Sequence, residues 1–316
     1  MKKFNAGHSI ALLSCTLVVL TSFSSCSKES TNTYKEFVLE EREPVVVVLP
    51  EDEDTNTDLS CPSSGEFRND ITRQVDIENP TNVGTIDDRS CYSDYSEVNV
   101  YNKTWGVYNI TDGSNHWDGT SLQPRIERSL SRSSETGIGS YAKFKGTVRI
   151  LEVGNPGAPQ DDSSNGTYII QAKGKHEGEG GSNDPAICLL LAKPVYKLTN
   201  GKYIQSAFDI YAERILYRGG EGSGREVVDL NQRIEKNEAV NIEMEVGFRQ
   251  DPDHPNDPSK KIHYCDVVIG EDTIKWNIPE PERGKESGIR YGAYRVKGGR
   301  AQIRWADTTY DKVEVE

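Results

Sequence analysis

The sequence predicts an all-β protein built from two packed sheets, and three observations point there. Strand-like runs recur through the body of the chain. Examples are Ser140–Leu151, Thr167–His176, Ala186–Leu191, Ser206–Ile215, Val240–Arg249, Ile262–Ile269, Ile289–Val296 and Ala301–Trp305. Breakers rich in Gly, Pro and Asn separate these runs, as at 154–157, 178–181, 199–201, 219–224 and 251–258. Long stretches with a 3.6-residue apolar period are absent, and only Val228–Lys236 reads as a helical turn or two. No segment repeats at a constant period, which argues against a propeller or solenoid. The roughly 250 residues of the body suit one large all-β domain. This is the pattern of a two-sheet β-jelly-roll, a concanavalin A-like sandwich with one concave face.

Taken in order, the chain begins with a targeting pattern. Lys2 and Lys3 precede an apolar run from Ile10 to Leu20, too short to span a bilayer. Small residues then lead to a cysteine in Phe23-Ser24-Ser25-Cys26, the pattern of a bacterial lipoprotein signal over residues 1–25. Cys26 would be the acylated residue; a plain secretory signal is the alternative. The chain is therefore expected to be exported and lipid-anchored to an outer membrane, facing the periplasm or the cell surface. Residues 26–60 carry ten acids against three basic residues and read as a solvated spacer. The domain follows over 61–316. An overall charge of −13 argues against a nucleic-acid partner but leaves room for a local basic groove. A monomer is expected. In an oxidising compartment Cys61 and Cys91 would form a disulfide, whereas Cys188 and Cys265 fall inside strands and read as buried thiols.

Three strand segments hold the unusual polar content. In Gln123-Pro124-Arg125-Ile126-Glu127-Arg128, alternation puts Arg125 and Glu127 on one face and Arg128 on the other. In Tyr168–His176, it puts Ile169, Gln171, Lys173 and Lys175 together. In Gly288–Arg295, it groups Arg290, Gly292 and Tyr294, with Gly292 leaving a gap between cation and phenol where a polymer could approach the backbone. If these strands are neighbours, Arg125, Gln171, Lys173, Arg290 and Tyr294 converge on a groove. The alternatives are ordinary: a polar face that meets water, Arg125 as an ion-pair partner of Glu127, and Tyr294 as a sheet aromatic. His116 and Trp117 would either line the groove or pack against each other. His176 falls on the face opposite Gln171 and is not assigned a catalytic role.

The convergent set suits β-elimination from a uronate. Arg125 and Gln171 would hold the carboxylate and stabilise the enolate-like transition state. Tyrosine and lysine titrate near about 10 and about 10.4 when unperturbed. Lys173 and Arg290 beside Tyr294 would lower the phenol pKa, so that Tyr294 takes the C5 proton and returns it to the leaving oxygen. Metal-ligand spacing such as CxxC or HExxH is absent, and no cofactor is expected. A structural calcium in the Asp251, Asp253 and Asp257 loop is the alternative to a solvated turn.

These three motifs, in this order, resemble the jelly-roll polysaccharide lyases. Alginate lyases of polysaccharide lyase family 7 carry Gln-x-His and a late Lys-x-Gly-x-Tyr. Here Lys173 stands where that family has His, and Arg290 where it has Lys. The Gln171-Ala172-Lys173 form is more similar to the short ulvan lyases of polysaccharide lyase family 28, over about Cys91 to Tyr310. That resemblance implies cleavage of ulvan, a sulfated green-algal polymer of rhamnose and uronic acids, leaving an unsaturated uronate at the new end. It implies Arg125, Gln171, Lys173 and Tyr294 as the catalytic set. From their own placement, Arg290 and His116 are expected to contact substrate. The other readings are a glycan-binding lipoprotein that does not cleave, and a lyase for alginate or another uronan.

Overall fold

A computed structural model describes residues 73–74, 83–88, 93–100, 102–110, 117–118, 121–154, 166–178, 182–219, 224–295 and 300–316. The signal segment, Cys26, the acidic spacer, the Cys61–Cys91 pair and His116 lie outside the described residues.

The strands in chain order are β1 (Arg73–Gln74), β2 (Thr85–Asp88), β3 (Ser93–Val100), β4 (Lys103–Ile110), β5 (Trp117–Asp118) and β6 (Ser121–Leu122). They continue with β7 (Arg125–Ser129), β8 (Tyr141–Gly154), β9 (Thr167–Lys173), β10 (Ala186–Thr199), β11 (Lys202–Ile215) and β12 (Arg225–Glu235). The last are β13 (Val240–Gln250), β14 (Lys261–Ile269), β15 (Asp272–Ile278), β16 (Gly288–Tyr294) and β17 (Arg300–Val313). Eight of them form one sheet in the order β1-β2-β7-β16-β9-β10-β11-β12. Seven form the other, β15-β14-β13-β8-β17-β4-β3, and β5 pairs with β6 alone. This is a two-sheet β-jelly-roll, as the sequence predicts.

The segment expected to form helical turns, Val228–Lys236, instead belongs up to Glu235 to strand β12, which pairs along β11. The reason is tertiary. Val228 and Ile234 stand opposite Ala212 and Phe208, so pairing buries their apolar face where an isolated helix would not. Between β10 and β11 the Thr199-Asn200-Gly201 breaker is a two-residue hairpin loop. Asn200 and Gly201 both have positive φ, 50° and 74°, the backbone that a right-twisted hairpin needs. Cys188 and Cys265 are buried free thiols on β10 and β14.

The core lies between the sheets. Phe144, Trp305 and Tyr108 from the seven-stranded sheet meet Tyr291 from β16. The ring centroids lie 4.4 Å (Phe144–Tyr291), 5.5 Å (Tyr291–Trp305) and 5.8 Å (Tyr108–Tyr291) apart. Burial of each ring contributes on the order of 2 kcal/mol. Arg128 also points into this layer, as alternation predicts. Its Nε donates to the Tyr108 hydroxyl at 2.8 Å and its Nη1 to the Gly84 carbonyl at 2.9 Å.

Strand β16 carries an irregularity. Tyr291 pairs with Ile170 and Tyr294 with Tyr168, so β16 holds one residue more than β9 over this stretch. Gly292 absorbs it at φ +143°, where a Cβ would lie 2.4 Å from the Ile126 carbonyl oxygen and 2.8 Å from the Glu127 Cα. Both are backbone atoms in a central strand, so neither can move aside cheaply. Gly292→Ala is therefore expected to destabilise the protein by about 2 kcal/mol or more, read as a fall in the thermal unfolding midpoint. An unchanged midpoint would show that the strand can relax around a side chain.

Candidate active site

Strand β16 lies between β7 and β9, so the three polar segments are neighbours in one sheet. On the side away from the core, Tyr294 stands opposite Arg125, and Gly292 opposite Glu127. Arg290 stands opposite Gln171, and Gly288 opposite Lys173. Arg125, Gln171, Lys173, Arg290 and Tyr294 thus share one patch.

Gln171 forms its floor and is 2 % exposed. Its Nε2 donates to Glu127 Oε1 at 2.5 Å. The bond joins β9 to β7 across β16. The side-chain position at Gly292 is closed by the Ile126 carbonyl, the Glu127 Cα and the Tyr108 ring, so it does not offer the gap expected there for a polymer. A carboxylate accepting from one amide hydrogen fixes the rotamer and leaves the second hydrogen for another acceptor. Glu127 Oε2 is buried without a hydrogen-bond partner among the described residues.

Beyond Gln171, toward the end of β16, stands Tyr294. Its hydroxyl donates to Gln123 Oε1 at 2.6 Å, and Arg125 Nη2 donates to the same oxygen at 2.9 Å. The Arg125 guanidinium lies 4.3 Å from the Tyr294 ring centroid, and the Tyr168 ring packs at 5.1 Å. Burial pushes the phenol up to about 12, with Arg125 opposing the shift. This is the reverse of the direction expected from neighbouring charges, because burial outweighs them. Arg125 and Arg225, not Lys173 and Arg290, are the cations that lower this phenol.

Lys173 occupies the opposite side of Gln171. Its Nζ donates to the Asp184 carbonyl at 2.5 Å and sits 3.5 Å from Asp184 Oδ2. Arg132 grips both Asp184 oxygens, at 2.7 and 2.8 Å, and also pairs with Glu286. Burial lowers the Lys173 ammonium to about 8. Asp184 opposes this, while Arg290 and Arg132 add to it. Burial would raise the Asp184 carboxyl, but Arg132 and Lys173 hold it below the usual range.

The register also corrects the face of Ile169. Leu190 pairs with Ile170 and Leu191 with Tyr168, a bulge that leaves Ile169 in the core and places Tyr168 on the face that carries Gln171. His176 is 5 % exposed and its ring nitrogens meet the carbonyls of Ser182 (2.9 Å) and Glu177 (3.2 Å), consistent with a structural role. In the 251–260 loop, Asp251 accepts from the Asp253 amide and Asp257 from the Ser259 amide, so these carboxylates cap their own turn. Among the described residues no three His, Cys, Asp or Glu side chains cluster as a metal site. Sequence reasoning missed Gln123, Arg132, Tyr168 and Asp184. Gln123 and Tyr168 lie in the same strand segments as the expected residues, but nothing in the sequence links Asp184 or Arg132 to Lys173.

The chain is 64 % identical over 266 residues to ulvan lyase NLR42 of Nonlabens ulvanivorans, covering 84 % of this chain and 49 % of that protein. It is 66 % identical over 263 residues to an endo-acting ulvan lyase of Formosa agariphila, covering 83 % and 49 %. It thus spans about half the length of these relatives. Among solved structures, alginate lyase AlyC3 aligns with a TM-score of 0.45 at 14 % identity, over 66 % of this chain and 75 % of that one. The family model of the PL28 ulvan lyases matches residues 49–314, and the chain belongs to that family.

Proposed function

We propose that this protein cleaves ulvan by β-elimination at a uronate. The observation that carries the reading is the placement of two proton-transfer groups, Lys173 and Tyr294, on either side of Gln171. Their pKa values are driven apart by burial, to about 8 and about 12. Such a pair supports a base and an acid working at the same pH. The relative named as endo-acting supports cleavage within the polymer.

Gln171 and Arg290, opposite each other on adjacent strands, face the uronate carboxylate and stabilise the charge that builds on it. Neutral Lys173 takes the C5 proton. The C5–H electron pair becomes the C4–C5 double bond and the C4–O bond breaks. Tyr294 donates its proton to the departing oxygen, exchanging its Gln123 partner for the substrate. Arg125, stacked on the ring, supports the phenolate that results. Arg125 therefore acts on Tyr294 in this scheme, and Arg290 takes over the carboxylate. Solvent then takes the extra proton from Lys173 and returns one to Tyr294. Every step uses protein side chains.

The test is incubation of the chain with ulvan, alginate and glucuronan, following the ultraviolet absorbance of the conjugated uronate. A rise with ulvan supports the proposal. Binding without a rise would favour a glycan-binding protein, and a rise with alginate alone a different lyase.

If Lys173 is the base, kcat/KM rises with pH through about 8 while the phenol stays protonated. Lys173→Arg then fails as fully as Lys173→Ala, because arginine does not deprotonate. Tyr294→Phe should cost about 10² to 10⁴-fold in rate while polymer binding persists. A near-normal rate for Tyr294→Phe would remove tyrosine from the scheme.

Asp184 raises the Lys173 pKa, so Asp184→Asn should move the rising limb of the profile to lower pH. A limb that stays in place would separate the rate profile from Lys173.

Export and anchoring through Cys26 complete the proposal, supported by the N-terminal pattern. Cys26→Ala should shift the protein from the membrane to the soluble fraction with its activity intact. Retention at the membrane would require another anchor.

A further inference from the structure

A row of residues crosses the eight-stranded sheet at right angles to its strands. Arg125 stands opposite Tyr294, Tyr294 opposite Tyr168, Tyr168 opposite Leu191, and Leu191 opposite Tyr211. All lie on the groove face. The stretch from Tyr294 to Tyr211 spans three strand spacings, about 14 Å, and its floor is aromatic and aliphatic. Sugar rings present C–H faces that pack on such surfaces, and their hydroxyl groups remain at the sides.

At the far end of this row the charges are unbalanced. Lys193 is two residues along β10 from Leu191 and shares its face. Its Nζ lies 4.2 Å from the Tyr211 ring centroid. Asp209, directly opposite Lys193, is engaged by Arg233 through two bonds of 2.7 and 3.0 Å. The neighbouring acids are also occupied. Glu213 accepts from the Tyr168 hydroxyl and pairs with Arg225 at 3.5 Å, and Asp229 accepts from the Asn231 amide at 2.8 Å. Among the described residues Lys193 makes no ion pair, so an ammonium is left over beside an aromatic ring on the groove floor.

We infer that Lys193 and Tyr211 form a distal subsite for an anionic sugar of the polymer, remote from the bond that breaks. Tyr211 supports a ring face, and Lys193 pairs with a sulfate ester or a carboxylate on that ring. The inference rests on the lyase reading for its substrate, but the subsite is separate from the proton-transfer groups. A single partly exposed charge contact of this kind is worth roughly 1 kcal/mol, or about five-fold in affinity. It acts on binding and leaves the chemical step alone.

Initial elimination rates over a range of ulvan concentrations test this with Lys193→Met, which keeps the stem and removes the charge, and Lys193→Arg, which restores it. Lys193→Met should raise KM about five-fold, leave kcat near that of the parent, and weaken the salt dependence of KM. Lys193→Arg should restore the parent values. Repeating the comparison on chemically desulfated ulvan identifies the anion. A difference that vanishes assigns the contact to sulfate, and one that persists assigns it to the uronate carboxylate. A Lys193→Met protein with parental KM and salt dependence, beside an active parent, overturns the subsite. Should the parent not cleave ulvan, the lyase reading fails, and binding of the intact polymer to parent and Lys193→Met decides the subsite independently.

Discussion

The site depends on the insertion of one late strand between two earlier ones. Strand β16, near the end of the chain, pairs with β7 on one side and β9 on the other. Each edge is closed by backbone hydrogen bonds, and Tyr291 anchors the strand from below among Phe144, Trp305 and Tyr108. Alternation then leaves the Arg290 side chain, next to Tyr291, no choice but the face away from the core. The rigid aromatic layer under the sheet thus supports the polar layer above it. Such a strand must close a long loop before its contacts form, and the packed core offsets that entropic cost.

Burial does the chemical tuning. Lys173, among Asp184, Arg132 and Arg290, and Tyr294, beside Arg125 and Tyr168, are both largely buried, yet burial moves them in opposite directions. It disfavours the charged form of each, which is the ammonium for lysine and the phenolate for tyrosine. Local charges modulate both: Asp184 holds the lysine up, and Arg125 holds the phenol down. In the proposed reaction this leaves Lys173 available as the base and keeps the proton on Tyr294. Hydrogen bonds aim the groups. Gln123 receives the Tyr294 hydroxyl, the Asp184 carbonyl receives Lys173, and Glu127 orients Gln171.

Glycine 292 joins the two levels. Its positive φ accommodates the extra residue of β16, and its missing side chain lets the backbone of β7 and the Tyr108 ring pack close against the strand. One residue therefore serves backbone geometry and core packing together. The bulge in β9 has a similar effect: it turns Tyr168 onto the groove face, where it extends the aromatic floor from Tyr294 toward Tyr211.

Much of this was legible in the sequence, because short alternating runs between Gly and Pro breakers leave few folds open. Period-2 alternation alone separated Arg125 and Glu127 from Arg128, and grouped Arg290 with Tyr294. The residue types and their order carried the family resemblance. Alternation has no memory of a bulge, however, so it misplaced Ile169 and Tyr168, and a polar-rich strand at Val228–Lys236 looked helical until β11 supplied its partner. Only the tertiary structure decided that β16 enters between β7 and β9, since pairing order leaves no local trace. It alone brought Asp184 and Arg132 to Lys173, because ion pairs between distant loops depend on where the chain returns. It also reversed the expected direction of the Tyr294 pKa, because desolvation is a property of the surrounding packing and neighbouring charges in sequence do not report it.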